Sequence, residues 1–400
     1  MIGSGEKYQI EGEYKMPQSV KELTKERQLV LLCSRGVLKE EHIEEIKTIM
    51  DGNLDWKEIL YQGITHRTLN IMYYHLKNLR LTDKIEEEVL KAMKTQSKVY
   101  AIRNKSYFEE IKVIFDKLNE NGIRLAILKG NFLASKVYPS VETRTFNDLD
   151  FLIDVRDGDK IVNILEDLGY IQGEVNENGD IIPSTRKQKM LQQLASNELQ
   201  ECLKKTDNPF TPMFQVDLNF DVLWKGNCPC KIDTPELLER AIEVDIDGAK
   251  TLILGYEDFL IQLACHLYKE AALLHWISDL RDLKIYKFAD ILMFVEKFSD
   301  KINWDKLVSF SKRVGCESIV YYAFYYVNLM YGQVIPEGVM KAIEPESKEY
   351  LDEYGIENEK PSKWQFDFFT RMFETSRVLD VSEEMLSNKK RFWDTKKQST

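Results

Sequence analysis

Along the first hundred residues, apolar side chains recur three and four positions apart. Leu29, Val30, Leu31 and Leu32 form one cluster, Ile43, Ile46 and Ile49 a second, and Leu60, Ile64, Leu69, Ile71 and Met72 a third, with almost no Pro or Gly between them. That period predicts an all-helical amino-terminal region over residues 1–100, with residues 1–18 as a loose leader. Another amphipathic helix is expected over residues 105–121. Phe108, Ile111, Ile114, Phe115 and Leu118 share its apolar face, and Asn121-Gly122 stops it.

The period then changes. Residues 123–128 are a short apolar run, read as a buried strand that ends at Lys129-Gly130. A short helix is expected over 131–138, and Pro139 opens a polar loop reaching Asn147. Residues 149–155 form a second apolar run, also read as a strand. A helix over 157–168 ends at Gly169, and Tyr170 and Ile171 begin another strand. Residues 173–212 are polar, with a helix expected over 185–205.

From Met213 to Trp224 the pattern alternates. Phe214, Val216, Leu218, Phe220 and Val222 fall on one side, and Gln215, Asp217, Asn219 and Asp221 on the other. A period of two is a strand signature. After Pro235 the helical period returns over 235–243, 256–275, 279–298, 304–314 and 316–332. The expected fold is α+β. A small mixed-sheet core over 101–230 is flanked by helical regions at 1–100 and 231–386, and a loose basic tail covers 387–400.

Composition narrows the function. The chain has 400 residues, 44% hydrophobic and 30% charged, which suits two or three globular units. The net charge of −11 opposes non-specific binding of nucleic acid and favours a small-molecule or peptide partner. Six cysteines spread over the chain are no disulfide scaffold. The start is polar, without a signal peptide, and no apolar run reaches the ~18 residues of a spanning helix. A cytoplasmic protein that does not enter the membrane is expected. Cys228-Pro-Cys230 has no second Cys pair and no nearby His in sequence to complete a zinc set.

The most informative segment is Thr145-Phe-Asn-Asp148-Leu-Asp150-Phe-Leu-Ile153. Residues two apart on a strand point the same way, so Asp148 and Asp150 present two carboxylates side by side. Their repulsion is relieved by a hard divalent cation, and Mg²⁺ commonly takes one or two carboxylates plus substrate phosphates. Asp217, on a neighbouring strand, is the best candidate for a third acid, with Asp221 as its fallback on the same face. Three such acids suit a two-metal site for in-line displacement at phosphorus. Lys129-Gly130, between strand and helix, offers backbone N–H groups to a phosphate. Arg144, four residues before Asp148, suits bidentate phosphate contact.

Taken in order, Leu128-Lys-Gly130, Tyr138-Pro139, Arg144-x-x-x-Asp148-x-Asp150 and Leu168-Gly-Tyr170 resemble the bacterial "uncharacterised nucleotidyltransferase" family of the DNA polymerase β-like nucleotidyltransferase superfamily. Leu54-Asp-Trp56, His66, Glu257-Asp-Phe, His266, Lys287-Phe-Ala-Asp290-Ile and Ile302-Asn-Trp304 extend the resemblance over roughly residues 50–315. It implies transfer of a nucleoside monophosphate from an NTP, with Mg²⁺ or Mn²⁺. Asp148, Asp150 and Asp217 carry over as metal ligands and catalytic acids. Lys129, Gly130 and Arg144 carry over to the nucleotide side, joined by Asn131, which stands where the superfamily usually has Ser. Asn219-Phe220 stand where this family often has His-Trp.

Lys287 can also reach a phosphate, the plainer alternative being a solvated helix lysine. His266 is read as a packed helix histidine, with a part in closing the pocket as the sharper reading. The aromatic run Tyr321, Tyr322, Phe324, Tyr325, Tyr326 and Tyr331 is read as packing surface. The acceptor is left open among small molecules, sugars, peptides or proteins and, last, RNA. Oligomeric state and preferred NTP stay open too. The competing function is a non-catalytic nucleotide- or partner-binding module on the same fold.

Overall fold

The computed structural model describes residues 17–375 apart from 227, 229 and 359, together with residue 381. The expected tail from Ser387, and the expected leader up to residue 16, lie outside the described residues. Among the described residues no helix is long and apolar enough to cross a membrane.

The fold is α+β, a mixed sheet among helices. The strands are β1 (Leu125–Ile127), β2 (Leu149–Ile153), β3 (Ile171–Val175), β4 (Ile181–Pro183), β5 (Cys202–Lys205), β6 (Met213–Asn219), β7 (Ile242–Ile246) and β8 (Ala249–Ile253). Their order in the sheet is β4-β3-β5-β6-β2-β1-β8-β7. β2 runs parallel to β6 and antiparallel to β1, and β1 runs parallel to β8. The other neighbours are antiparallel.

β1 and β2 are buried along their whole length, which is why they read as apolar runs. β6 alternates as its sequence demands. Phe214, Val216 and Leu218 are buried, while Gln215, Asp217 and Asn219 stay partly open. The strand stops at Asn219, so Phe220, Asp221 and Val222 lie beyond it rather than on it.

Three elements depart from the sequence reading. The helix expected over 185–205 spans only Arg186–Ala195, and residues 202–205 pair with β6, Cys202 opposite Val216. The helix expected over 235–243 covers Thr234–Glu239, and β7 and β8 then form a hairpin. Asp247 and Gly248 turn it, with φ of 50° and 85°, the positive pair a tight type I′ hairpin needs. β8 sits beside β1, so the sheet takes strands from both sides of residue 230. The helix expected over 105–121 is the second half of a 34-residue helix, Glu87–Glu120.

That long helix backs the sheet. Phe115 meets Phe151 of β2 edge-on at 5.7 Å, and Tyr107 meets Phe214 of β6 at 5.1 Å. One continuous apolar core runs from Val20 through both strands and helices to Phe373. The aromatic run at 321–331 belongs to it, with Tyr321, Tyr322, Phe324, Tyr326 and Tyr331 all buried.

Candidate functional site

The site grows from the pairing of β2 with β6. In that parallel ladder Asp150 stands directly opposite Asp217. Partners in register face the same side of a sheet, with strands about 4.8 Å apart, so the two carboxylates are neighbours although 67 residues separate them (217 − 150). Asp148 immediately precedes β2 and shares a cleft with Asp150. Asp221 lies beyond the end of β6, accepts a hydrogen bond from Leu223 N at 3.0 Å, and lines a different cavity.

The three acids feel one another. Burial, then the charge of Asp150, pushes the Asp148 carboxyl above the usual carboxylate range. Burial, then Asp150 and Asp148, pushes Asp217 well above it. Glu201 beside β5 adds to the repulsion on Asp217. This all-oxygen set, strained by its own charge, has the chemistry that a hard divalent cation satisfies. Among the described residues no three His, Cys, Asp or Glu side chains already stand at ligand spacing. Two side chains explain part of this. Gln215 Nε2 donates to Asp217 at 3.2 Å, and Lys129 Nζ lies 3.3 Å from Asp150.

Lys129 is held by strain. Its φ is 44° and its ψ −114°, a conformation costly for any side chain but glycine. Burial opposes its charge, but Asp150 and Asp148 outweigh burial and raise its pKa. Gly130 follows at the start of the helix Gly130–Lys136. A Cβ there would stand 2.8 Å from the Cβ of Phe146, so glycine is required by the loop that carries Asp148. Asn131 is buried, and its amide nitrogen meets no hydrogen-bond partner among the described residues. The helix is only two turns long, so the Lys129 ammonium is the stronger positive feature of this junction. Lys129→Gly is expected to fold about 1 kcal/mol more stably than Lys129→Ala, since both lose the ammonium and only glycine relaxes the strain. Urea denaturation of the two variants tests this, and equal midpoints would contradict it.

The loop before β2 is pinned from below. Asn104 Nδ2 donates to Arg144 O at 2.9 Å and to Val141 O at 2.6 Å, and Tyr107 donates to the carbonyl of Asn147. Arg144 itself is buried. Its Nε and one terminal nitrogen each donate to Asp290 at 2.8 Å, and its third nitrogen donates to Thr145 O. Tyr138 donates to the same Asp290 at 2.7 Å. Arg144 lines the cleft with few donors left for a phosphate.

Lys287 is not a solvated lysine. It is buried, ion-paired with Glu270, and donates to Arg281 O at 2.6 Å. Burial, then the cations around it, pushes its pKa well below the usual lysine value. His266 Nε2 lies 3.6 Å from the same Glu270, and burial keeps the imidazole well below its usual pKa, hence neutral.

The cleft is lined by Asp148, Asp150, Lys129, Arg144, Lys287 and His266. Arg67, Glu270, Arg281, Tyr286 and Asp290 also line it. Of these, Arg67, Glu270, Arg281 and Tyr286 carried no sequence signal, being lone residues in helical regions. Asp217 lies next to Asp150, outside this lining. A second cavity shares Lys129 and His266 with the first and adds Glu198, Asp221, Trp224, Lys269 and Trp276.

Cys230 Sγ donates to Gly315 O at 3.1 Å, and Cys228 and Cys230 are free thiols.

The family model described as "Uncharacterised nucleotidyltransferase" matches residues 52–332. Among solved structures, an antigenic nucleotidyltransferase-like protein from Paracoccidioides brasiliensis is similar at 15% identity and a TM-score of 0.28, over 53% of this chain and 91% of that one. At so low a score the likeness carries no argument. None of the curated proteins matches the chain.

Proposed function

The chain belongs to the uncharacterised nucleotidyltransferase family, and from that premise we propose that it is an active, metal-dependent enzyme that moves a nucleoside monophosphate from an NTP to an acceptor. The observation that carries this reading is the register of Asp150 with Asp217, beside Asp148. The acceptor oxygen bonds to the α-phosphorus as the bond to the bridging oxygen breaks, and pyrophosphate leaves.

Asp148, Asp150 and Asp217 would hold Mg²⁺ or Mn²⁺, whose charge stabilises the reacting phosphoryl group and the departing pyrophosphate. Asp217, ionised once the cation is held, would take the proton of the acceptor hydroxyl. Lys129 turns from Asp150 to a phosphate oxygen. Gly130 and Asn131 lie against the phosphates through the backbone and the unpaired amide. Arg144, locked on Asp290, shapes the loop and offers its remaining donors. Lys287 holds Glu270 and, through it, His266 at the cleft wall. The acceptor is a small molecule, sugar or peptide, since the net charge of −11 disfavours nucleic acid.

A non-catalytic nucleotide-binding module is the second reading, favoured by the Lys129–Asp150 contact and the lack of a ready ligand set among the described residues. Thermal melting with each NTP, with and without Mg²⁺ or Mn²⁺, separates the two when joined to a pyrophosphate assay. The transferase is stabilised only by metal and NTP together, by about 2.7 kcal/mol at a hundredfold excess over Kd, and releases pyrophosphate with a suitable acceptor. Stabilisation by NTP alone, with no pyrophosphate across an acceptor panel, would support the module.

A further inference from the structure

We propose that Arg67 and Arg281, one from each helical region, grip the triphosphate of the bound nucleotide. The inference rests on the transferase reading and adds residues that the motif does not contain.

It comes from pairing off the charges of the cleft. Lys129 stands against Asp150, Arg144 against Asp290, and Lys287 against Glu270. Asp148 remains on the sheet side, and Arg67 and Arg281 remain among the cations. Among the described residues neither guanidinium has a carboxylate within ion-pair distance. Each rests on an aromatic ring instead. Arg67 is 5.2 Å from the centroid of Tyr286, and Arg281 is 4.5 Å from that of Trp276. The Arg144 guanidinium lies 4.4 Å from the same Tyr286 ring, so positive charge is gathered there without full compensation. Such crowding costs folding energy and attracts a polyanion.

Both arginines are positioned by the backbone. Arg67 has φ of 56°, a left-handed conformation unusual for a side chain of its size. Just before it, His66 Nδ1 accepts the N–H of Ile285 at 3.3 Å, tying that turn to the helix Ile285–Phe298. The carbonyl of Arg281 is fixed by the buried Lys287 amine. Strain at Arg67 and a pinned carbonyl at Arg281, two cations without acidic partners among the described residues, mark positions kept for a ligand. Guanidinium forks fit the paired oxygens of successive phosphates.

The test measures binding of MgNTP and of the matching nucleoside monophosphate by calorimetry, for wild type, Arg67→Gln and Arg281→Gln. The NTP is the one that wild type binds best. Each variant is expected to lose about 10–100-fold in NTP affinity while monophosphate affinity stays near wild type, and Arg67→Lys regains part of the loss. NTP affinity unchanged in both variants overturns the assignment and leaves the transferase reading standing. Equal losses for NTP and monophosphate overturn it too. Failure of wild type to bind any NTP with Mg²⁺ removes the transferase reading and this inference together. Arg281 is exposed, so its variant keeps the test valid should Arg67→Gln fail to fold.

Discussion

Asp150→Asn is expected to slow pyrophosphate release by at least about 10³-fold, since a metal ligand supplies several kcal/mol at about 1.4 kcal/mol per decade. The same loss is expected for Asp148→Asn. Both changes keep the size of the side chain, and β2 keeps its ladder with β6, so the fold survives. The metal-free Asp148→Asn variant should even melt higher than wild type, because burial and the charge of Asp150 disfavour the Asp148 carboxylate, whereas Asp150→Asn also takes from Lys129 its partner. An enzyme-coupled pyrophosphate assay, run beside thermal melting in chelator, reads the two effects separately. Turnover within tenfold of wild type in either variant would sink the metal-site assignment.

Asp290→Ala should be the most destabilising single change near the cleft, by about 3–5 kcal/mol. The Arg144 and Asp290 side chains are only 6% and 4% exposed, so deleting the acid strands a guanidinium away from water. Tyr138 loses its acceptor in the same step. Replacing both partners, Arg144→Met with Asp290→Leu, is expected to recover much of that loss, because no charge is left buried. Urea denaturation at constant slope measures both variants. A midpoint for Asp290→Ala equal to wild type would show that the pair contributes nothing.

The sheet's centre was legible because its residues answer to local rules. β1 and β2 are apolar runs bounded by polar turns, and β6 alternates with period two. Their acids could therefore be placed on strands from sequence. That Asp217 joins the pair from a neighbouring strand was expected, but its register opposite Asp150 was not, because parallel pairing between distant segments leaves no local trace. β5 was hidden by its composition: Cys-Leu-Lys-Lys has no alternation to see, and the strand exists because β6 offers it an edge. The β7–β8 hairpin did carry a signal. Asp247-Gly248 sits between Val244, Ile246 and Ala249, Thr251, a turn pair between alternating residues, and the helical period on either side drowned it. Lys287 and Arg144 stand out in sequence as cations, but nothing local points to the acids they meet, Glu270 and Asp290. Asp290 is 146 positions from Arg144. Arg67 and Arg281 belong to no motif, and only the packing of three regions around one cleft brings them together.

The helix Glu87–Glu120 bears on how this protein can be taken apart. Its first half packs among the amino-terminal helices, and its second half supports the sheet and the loop before Asp148. A cut near residue 100 would split that rod in midspan and bare apolar surface on both fragments. The minimal unit for expression is therefore the shared-core body, and a recombinant piece that starts after the helix would lack the scaffold from which the loop before Asp148 hangs.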